Sequence, residues 1–415
     1  MARILWDDLR VNGYHCAILR DFLRGFIMSI QLIRELDNNN ATLMSAVGGI
    51  MADRSRKMDF NAPYGALAFE TDIDSDGLHV PHVVLEGNGG VPTTRYEFTQ
   101  HALAQLMERL KIDIRTARYI LQRSPREATE LVNALLTKKG EETMLLRTFD
   151  GNGSNPVARS FLSPSYKILD HEDVLETMLP VLAESDGQWE SVRAGSSDQR
   201  MLFSFKSRTI TADASPLKLG DMTALGVQLT NSEVGSGSAS LSQLLFTLAC
   251  LNGMSTSNST RKTHLGKART DSDVSLLTVD TKDKIKAATL AELSDSLAAY
   301  SSVDSFDTQV ALFTDGHNNE VPLESLTSTE QRLALCQRVA VATGGNKKDS
   351  FSILEALSAT TAQAGYVGRP ISQATIANAV TGVANSPDRG IDDQEQWQKG
   401  GAKILNLSAR AWRTL

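Results

Sequence analysis

"TNSEVGSGSASLSQLLFTLACLNGM", residues 230–254, joins an Asn-Ser-Glu triplet, a Gly/Ser loop, a leucine-rich run and an Asn-Gly pair. Leu241, Leu244, Leu245 and Leu248 recur at helical spacing, with Cys250 and Phe246 on the opposite side. The spacing predicts a helix buried on both faces, opened by a Gly/Ser cap and stopped at Asn252-Gly253. A free cysteine on such a helix is more often a small core residue than a nucleophile. Upstream, "QWESVRAG", "QRMLFSFKSRTI" and "MTALGVQLTNSE" have strand character. Residues 188–252 are therefore expected to form a β-β-β-α unit, an antiparallel meander backed by a helix.

Earlier in the chain, residues 64–87, "YGALAFETDIDSDGLHVPHVVLEG", predict a hairpin around an Asp-rich turn. Asp72, Asp74 and Asp76 before Gly77 copy the first half of a calcium loop. The twelfth position is Val83, however, and no helix-loop-helix surrounds it, so the turn is the better account. His79 and His82 fall on opposite faces of a strand and do not make a metal pair. "TQHALAQLMERL", "IRTARYILQ" and "REATELVNALLTKKG" carry helical periodicity, and "TMLLRTFDGNGSNPVARSFLS" predicts a second hairpin. "DHEDVLETMLPVLAES" predicts a helix capped by Asp170 and kinked or shortened at Pro180. After about residue 270 the pattern is mainly helical, with Leu290, Leu293, Leu297 and Tyr300 on one face. The expected class is α+β: an antiparallel sheet packed by helices, plus a mainly helical C-terminal region. Three segments are expected: an N-terminal extension over 1–60, partly helical or flexible, an α+β core over 61–270 and a helical region over 271–415.

The 415 residues are 41% hydrophobic and 22% charged, ordinary globular values. No apolar run reaches the roughly 18 residues of a membrane span. Residues 1–27 are interrupted by Arg10, Arg20, Asp21 and Arg24, which breaks any signal-peptide core; a docking helix or a start at Met28 accounts for them. Cys16, Cys250 and Cys336 lie far apart without metal-ligand spacing, which fits a reducing cytoplasm and no cofactor.

A formal charge of -7 argues against a uniformly basic surface, though not against a local basic face. Two clusters could track a polyanion: Arg261, Lys262, His264, Lys267 and Arg269, and Arg115, Arg118, Arg123 and Arg126 around Tyr119. Neither Gly-rich stretch, "NSEVGSGSAS" nor "ATGGNKKDS", has the Lys-Ser/Thr ending of a nucleotide-binding loop.

Several segments together resemble the phage/plasmid-like protein family, a domain of unknown function carried by prophages and plasmids. They are "LLRTFDG", "PVARSFLSPSYKILDHEDVL", "NSEVGSGSASLSQLLFTLACLNGM", "KTHLG" and "ATIANAVTGVANSPDRG". The resemblance spans about residues 60 to 400 and leaves the first 60 unassigned. By family motif it singles out Arg147, Arg159, Ser163, Tyr166, Asn231, Ser232, Glu233, Gly235, Cys250, Asn252, Gly253 and His264. It implies a cytoplasmic accessory protein of a mobile element and assigns no reaction.

Three functions compete. The first is nucleic-acid binding, up to single-strand annealing in recombination, by a homo-oligomer. Arg159, Arg261, Lys262, His264, Lys267 and Arg269 would then meet phosphates and Tyr166 would offer a stacking surface. The second is an enzyme acting on a phosphorylated or acyl substrate through Glu233, Cys250 and His264. The third is a structural or host-interaction protein.

Overall fold

The computed structural model describes residues 41–87, 92–151, 155–213, 222–247, 252–262, 278–321, 326, 328–362, 368–385 and 391–415. The leader, Cys250, His264, Lys267 and Arg269 lie outside these residues.

Helix α1 (Ala41–Asp53) precedes four strands: β1 (Lys57–Pro63), β2 (Leu67–Ile73), β3 (His79–Leu85) and β4 (Thr94–Phe98). The β2–β3 turn is built by Asp74, whose carboxylate accepts the N–H groups of Asp76 (2.9 Å) and Leu78 (2.8 Å). Gly77 supplies the positive φ of 76°. Asp72 is engaged by Arg95 at 2.5 Å, so the Asp-rich stretch serves the hairpin.

Helices α2 (Gln100–Arg109), α3 (Ile114–Arg123) and α4 (Pro125–Lys139) follow. Thr99 and Asp113 cap the first two with their side chains, Pro125 opens the third, and Gly140 closes it at φ 47°. Strands β5 (Thr143–Phe149) and β6 (Val157–Leu162) complete a six-stranded sheet in the order β1-β5-β6-β4-β3-β2. Its neighbours are antiparallel except β4 and β6, which run parallel because α2 to α4 and β5 intervene. Leu67, Phe69, Val83, Leu106, Met107, Leu136, Leu146 and Phe161 share the core between sheet and helices.

Helix α5 (His171–Glu184) passes through Pro180 and continues to Glu184, so the expected shortening does not occur. The chain then makes β7 (Trp189–Ser196), β8 (Met201–Asp213), β9 (Met222–Asn231), β10 (Ala239–Thr247) and β11 (Asn252–Lys262). These form an antiparallel meander in the order β11-β10-β9-β8-β7. Over 239–247 the expected helix is thus a strand, and the rest of that stretch, 248–251, lies outside the described residues. Every residue of β10 is buried: Leu241 and Leu245 enter the main core, and Leu244 and Phe246 enter a separate cluster with Ala224. Leucines on two faces satisfy a strand covered on both sides as well as a doubly buried helix. Gly253 is no helix stop. A Cβ there would lie 2.8 Å from the Phe246 ring, and one at Gly226 would lie 2.3 Å from it. The two glycines, on the strands either side of β10, make room for that ring.

Helices α6 (Val279–Tyr300), α7 (Val303–Asn318), α8 (Thr329–Thr343), α9 (Ser350–Thr361), α10 (Gln373–Gly382), α11 (Ile391–Leu405) and α12 (Ala409–Thr414) form the helical C-terminal region. The protein is α+β. One core runs from Leu43 through Phe203 and Leu241 to Trp397 and Trp412, so the boundary expected at residue 270 separates no two cores. The apolar division lies between the six-stranded sheet with α2 to α4 and everything packed on the five-stranded sheet. No helix among the described residues is long and apolar enough to cross a membrane.

Candidate functional site: a buried ion cluster between the sheets

Single arginines inside apolar strands, as in "LLRTF" and "VARSFL", need partners if the strands are buried. Arg147, fully buried on β5, spends its guanidinium in three directions. Nε donates to Asp59 on β1 (2.9 Å), Nη1 to the Glu233 carbonyl (2.9 Å) and Nη2 to Asp170 (2.6 Å). Arg159 sits where the β5–β6 register shifts, since Arg147 faces Ser160 and Thr148 faces Ala158. This bulge lets Ala158 and Phe161 share one core while the Arg159 side chain reaches Glu233. The Arg159 guanidinium also lies 4.1 Å above the Phe149 ring.

Glu233, 1% exposed, lies in the β9–β10 loop of the other sheet. Its Oε1 accepts from Lys57 Nζ (2.5 Å) and from the His171 backbone N–H (2.7 Å), and its Oε2 accepts from Arg159. Lys57 also donates to Glu172 (2.5 Å) and lies 3.7 Å from Asp170. Three cations, Lys57, Arg147 and Arg159, thus meet four carboxylates, Asp59, Asp170, Glu172 and Glu233.

The surrounding loop is fixed by neutral bonds. Asn231 donates to the Leu169 carbonyl (2.9 Å) and to His171 Nδ1 (3.0 Å), Ser232 Oγ to the Gln199 carbonyl (2.8 Å), and the Tyr166 hydroxyl to the Ser232 carbonyl (2.9 Å). Gln105 on α2 donates to the Val234 carbonyl (2.7 Å). Gly235 has φ 79°, and a Cβ there would meet Leu162 Cδ2 at 2.7 Å. Ser163 turns the chain into this region, its hydroxyl 2.7 Å from that of Ser165.

Burial alone would raise the Glu233 carboxyl. A charged His171, Arg159, Lys57 and Arg147 override it and hold the carboxyl far below the usual range. Burial holds His171 itself down to about 4, so at neutral pH the three fixed cations carry that role. Burial likewise opposes the Asp170 charge, but Arg147 and then Lys57 keep its carboxyl low. Glu172 is raised by burial against the pull of Lys57. Burial also works against the charge on Arg147, but Asp170 and Asp59 outweigh it and raise its pKa. Burial raises the Tyr166 phenol.

The motif residues Arg147, Arg159, Tyr166, Asn231, Ser232, Glu233 and Gly235 therefore converge. The expectation that Arg159 and Tyr166 face a nucleic acid is corrected: both are buried and bonded within the loop. Glu233, the acid of the enzyme reading, has both oxygens engaged by cations and offers no free base. Asn252 and Gly253 begin β11 opposite Thr247 and Phe246, away from the charges. Arg261 is exposed and donates to Ser238 (2.8 Å), and Lys262 pairs with Glu292 on α6. The sequence reading missed Lys57, Asp59, His171 and Glu172. Their signal was the demand of two arginines in apolar strands for carboxylates. Among the described residues no group of three His, Cys, Asp or Glu side chains is arranged to hold a metal.

The chain matches no family model, no curated protein and no solved structure. The chemistry of the cluster is a clamp: it fastens the β9–β10 loop and the start of α5 to β1, β5 and β6.

Proposed function

We propose that the chain is a cytoplasmic nucleic-acid-binding accessory protein of a mobile element, acting on single strands. The observation that carries this reading is the outer face of α3. Ala117 and Leu121 turn inward, while Arg115, Arg118, Tyr119 and Arg123 are exposed, Tyr119 by 66%. The Arg123 guanidinium lies 5.8 Å from the Tyr119 ring centre, and Arg118 is steadied by Gln100 at 2.5 Å. A helix face with three arginines, no acid and an exposed aromatic ring suits phosphates beside a stacked base. This face takes the role the sequence suggested for Arg159 and Tyr166. Arg261 supplies a further exposed cation on β11.

Fluorescence anisotropy with a labelled single-stranded oligonucleotide tests the reading. Three phosphate contacts on a single strand give a salt slope of about -2, or roughly 20-fold weaker binding between 50 and 200 mM salt. Replacing Arg115, Arg118 and Arg123 together by Ala should flatten that slope. Absence of binding at low salt overturns the reading. Self-association belongs to the same proposal. Val341 (57% exposed) and Phe351 (65%), either side of the α8–α9 connection, are the apolar side chains it would use. Light scattering of a Phe351→Ser variant should then show a smaller particle.

A further inference from the structure

Strand β2 is an edge of the six-stranded sheet. In its pairing with β3, Leu67, Phe69, Thr71 and Ile73 stand opposite Leu85, Val83, Pro81 and His79. Backbone groups alternate along a strand, so one of these positions shows where all of them point. The Phe69 N–H donates to Asn133 Oδ1 (2.7 Å), and its carbonyl accepts from Asn133 Nδ2 (2.9 Å). A side-chain amide on α4 thus does what the peptide of a neighbouring strand would do. Thr71 and Ile73 turn their peptide groups the same way, and Pro81 opposite Thr71 withholds no ladder bond.

At Thr71, α4 brings the Thr129 hydroxyl to 3.4 Å from the Thr71 hydroxyl. From there the edge opens into a groove of about 620 Å³, between residues 70–73 and Arg126, Thr129 and Glu130 of α4. Ile73, 66% exposed, gives it an apolar spot. Glu70, Asp72 and Glu130 make the lining acidic. Arg95 bridges Glu70 (3.1 Å) and Asp72 (2.5 Å) with one positive charge, and Arg126 pairs with Glu130 (2.9 Å). Asp74 and Asp76 extend the negative charge into the adjoining turn.

A second copy is a poor occupant. Antiparallel pairing of two β2 edges about Thr71 would set Glu70 opposite Asp72, and like charges directly opposite are destabilising. We propose that this edge receives an extended cationic segment of a partner protein as an added strand. Lys or Arg residues two apart face Glu70 and Asp72, and an aliphatic residue between them faces α4.

The probe is a fluorescein-labelled Gly-Lys-Val-Arg-Val-Lys-Gly peptide, compared with its Glu-for-Lys/Arg counterpart and a backbone N-methylated form. The cationic peptide should bind, the anionic one should not, and N-methylation should weaken binding at least 10-fold. Thr71→Pro removes an outward N–H without breaking the β2–β3 ladder, and should cost the same. Asp72→Lys provides an independent arm if Thr71→Pro does not fold, and should also weaken binding at least 10-fold. Replacing the three α3 arginines should leave peptide affinity unchanged, which separates this surface from nucleic-acid binding. No binding of the peptide, equal binding of both charge types, or indifference to Thr71→Pro and Asp72→Lys overturns the proposal. So does a dimer of the unmodified chain that Thr71→Pro dissolves, which would give the edge to a second copy.

Discussion

Glu233 shows how much one side chain can hold. It is buried, with both oxygens engaged by cations and one also taken by a backbone N–H. Glu233→Gln keeps the shape and leaves Lys57 and Arg159 short of a counter-charge. Removing one partner of a buried pair costs about 3–5 kcal/mol, and urea denaturation should register a loss of that order. The pH response follows from the shifted groups. Glu233 and Asp170 lie below their unfolded values, so their stabilisation is present at neutral pH and lost as pH falls through the folded values. Glu172, raised, contributes with the opposite sign. His171 is held down from 6.5 to about 4: the unfolded chain takes up its proton first, so stability drops as pH falls from 6.5 towards 4. His317, lowered to about 4 by burial and then by Arg369, adds a second such proton. The urea midpoint should therefore decline below pH 6.5, before the carboxylates titrate, and His171→Gln should remove about half of that early decline.

The β9–β10–β11 meander is held by packing on both faces and by the two glycines beneath Phe246. Gly253→Ala would press a methyl group into that ring, and overpacking of this kind costs about 1–3 kcal/mol. Leu244→Ala on the same face should cost about 2–5 kcal/mol through the cavity it leaves. Thermal unfolding checks both. A doubly buried helix at 239–251 would also bury Leu244 but would set no ring against Gly253, so a neutral Gly253→Ala would contradict the strand. Helix termini were more legible than this strand. Asp170 acts locally: its N–H donates to Asp173 three residues on, so this cap depends on a few neighbouring residues.

The two apolar cores are fastened by the ion cluster, with Gln105 and Tyr166 as neutral supports. Loosening the cluster should uncouple them. Differential scanning calorimetry of Glu233→Gln should show two separated transitions where the parent chain shows one. Sequence periodicity determined the two early hairpins, the helices after residue 99, the α+β class and the helical C-terminal region, because each rests on short-range spacing and turn chemistry. What singled out Arg147, Arg159, Tyr166 and the Asn231–Gly235 loop was motif resemblance rather than periodicity. The sequence did not reveal that β10 is a strand, since burial on both faces erases the difference between a two-residue and a 3.6-residue period. Nor did it show that Arg159 and Tyr166 point inward, that Lys57 meets Glu233 or that Asp59 meets Arg147. Those pairings join residues between 62 and 176 positions apart. β1–β5 pairing sets Asp59 opposite Arg147, and only the docking of the β9–β10 loop and the start of α5 on that sheet brings the other charges within reach.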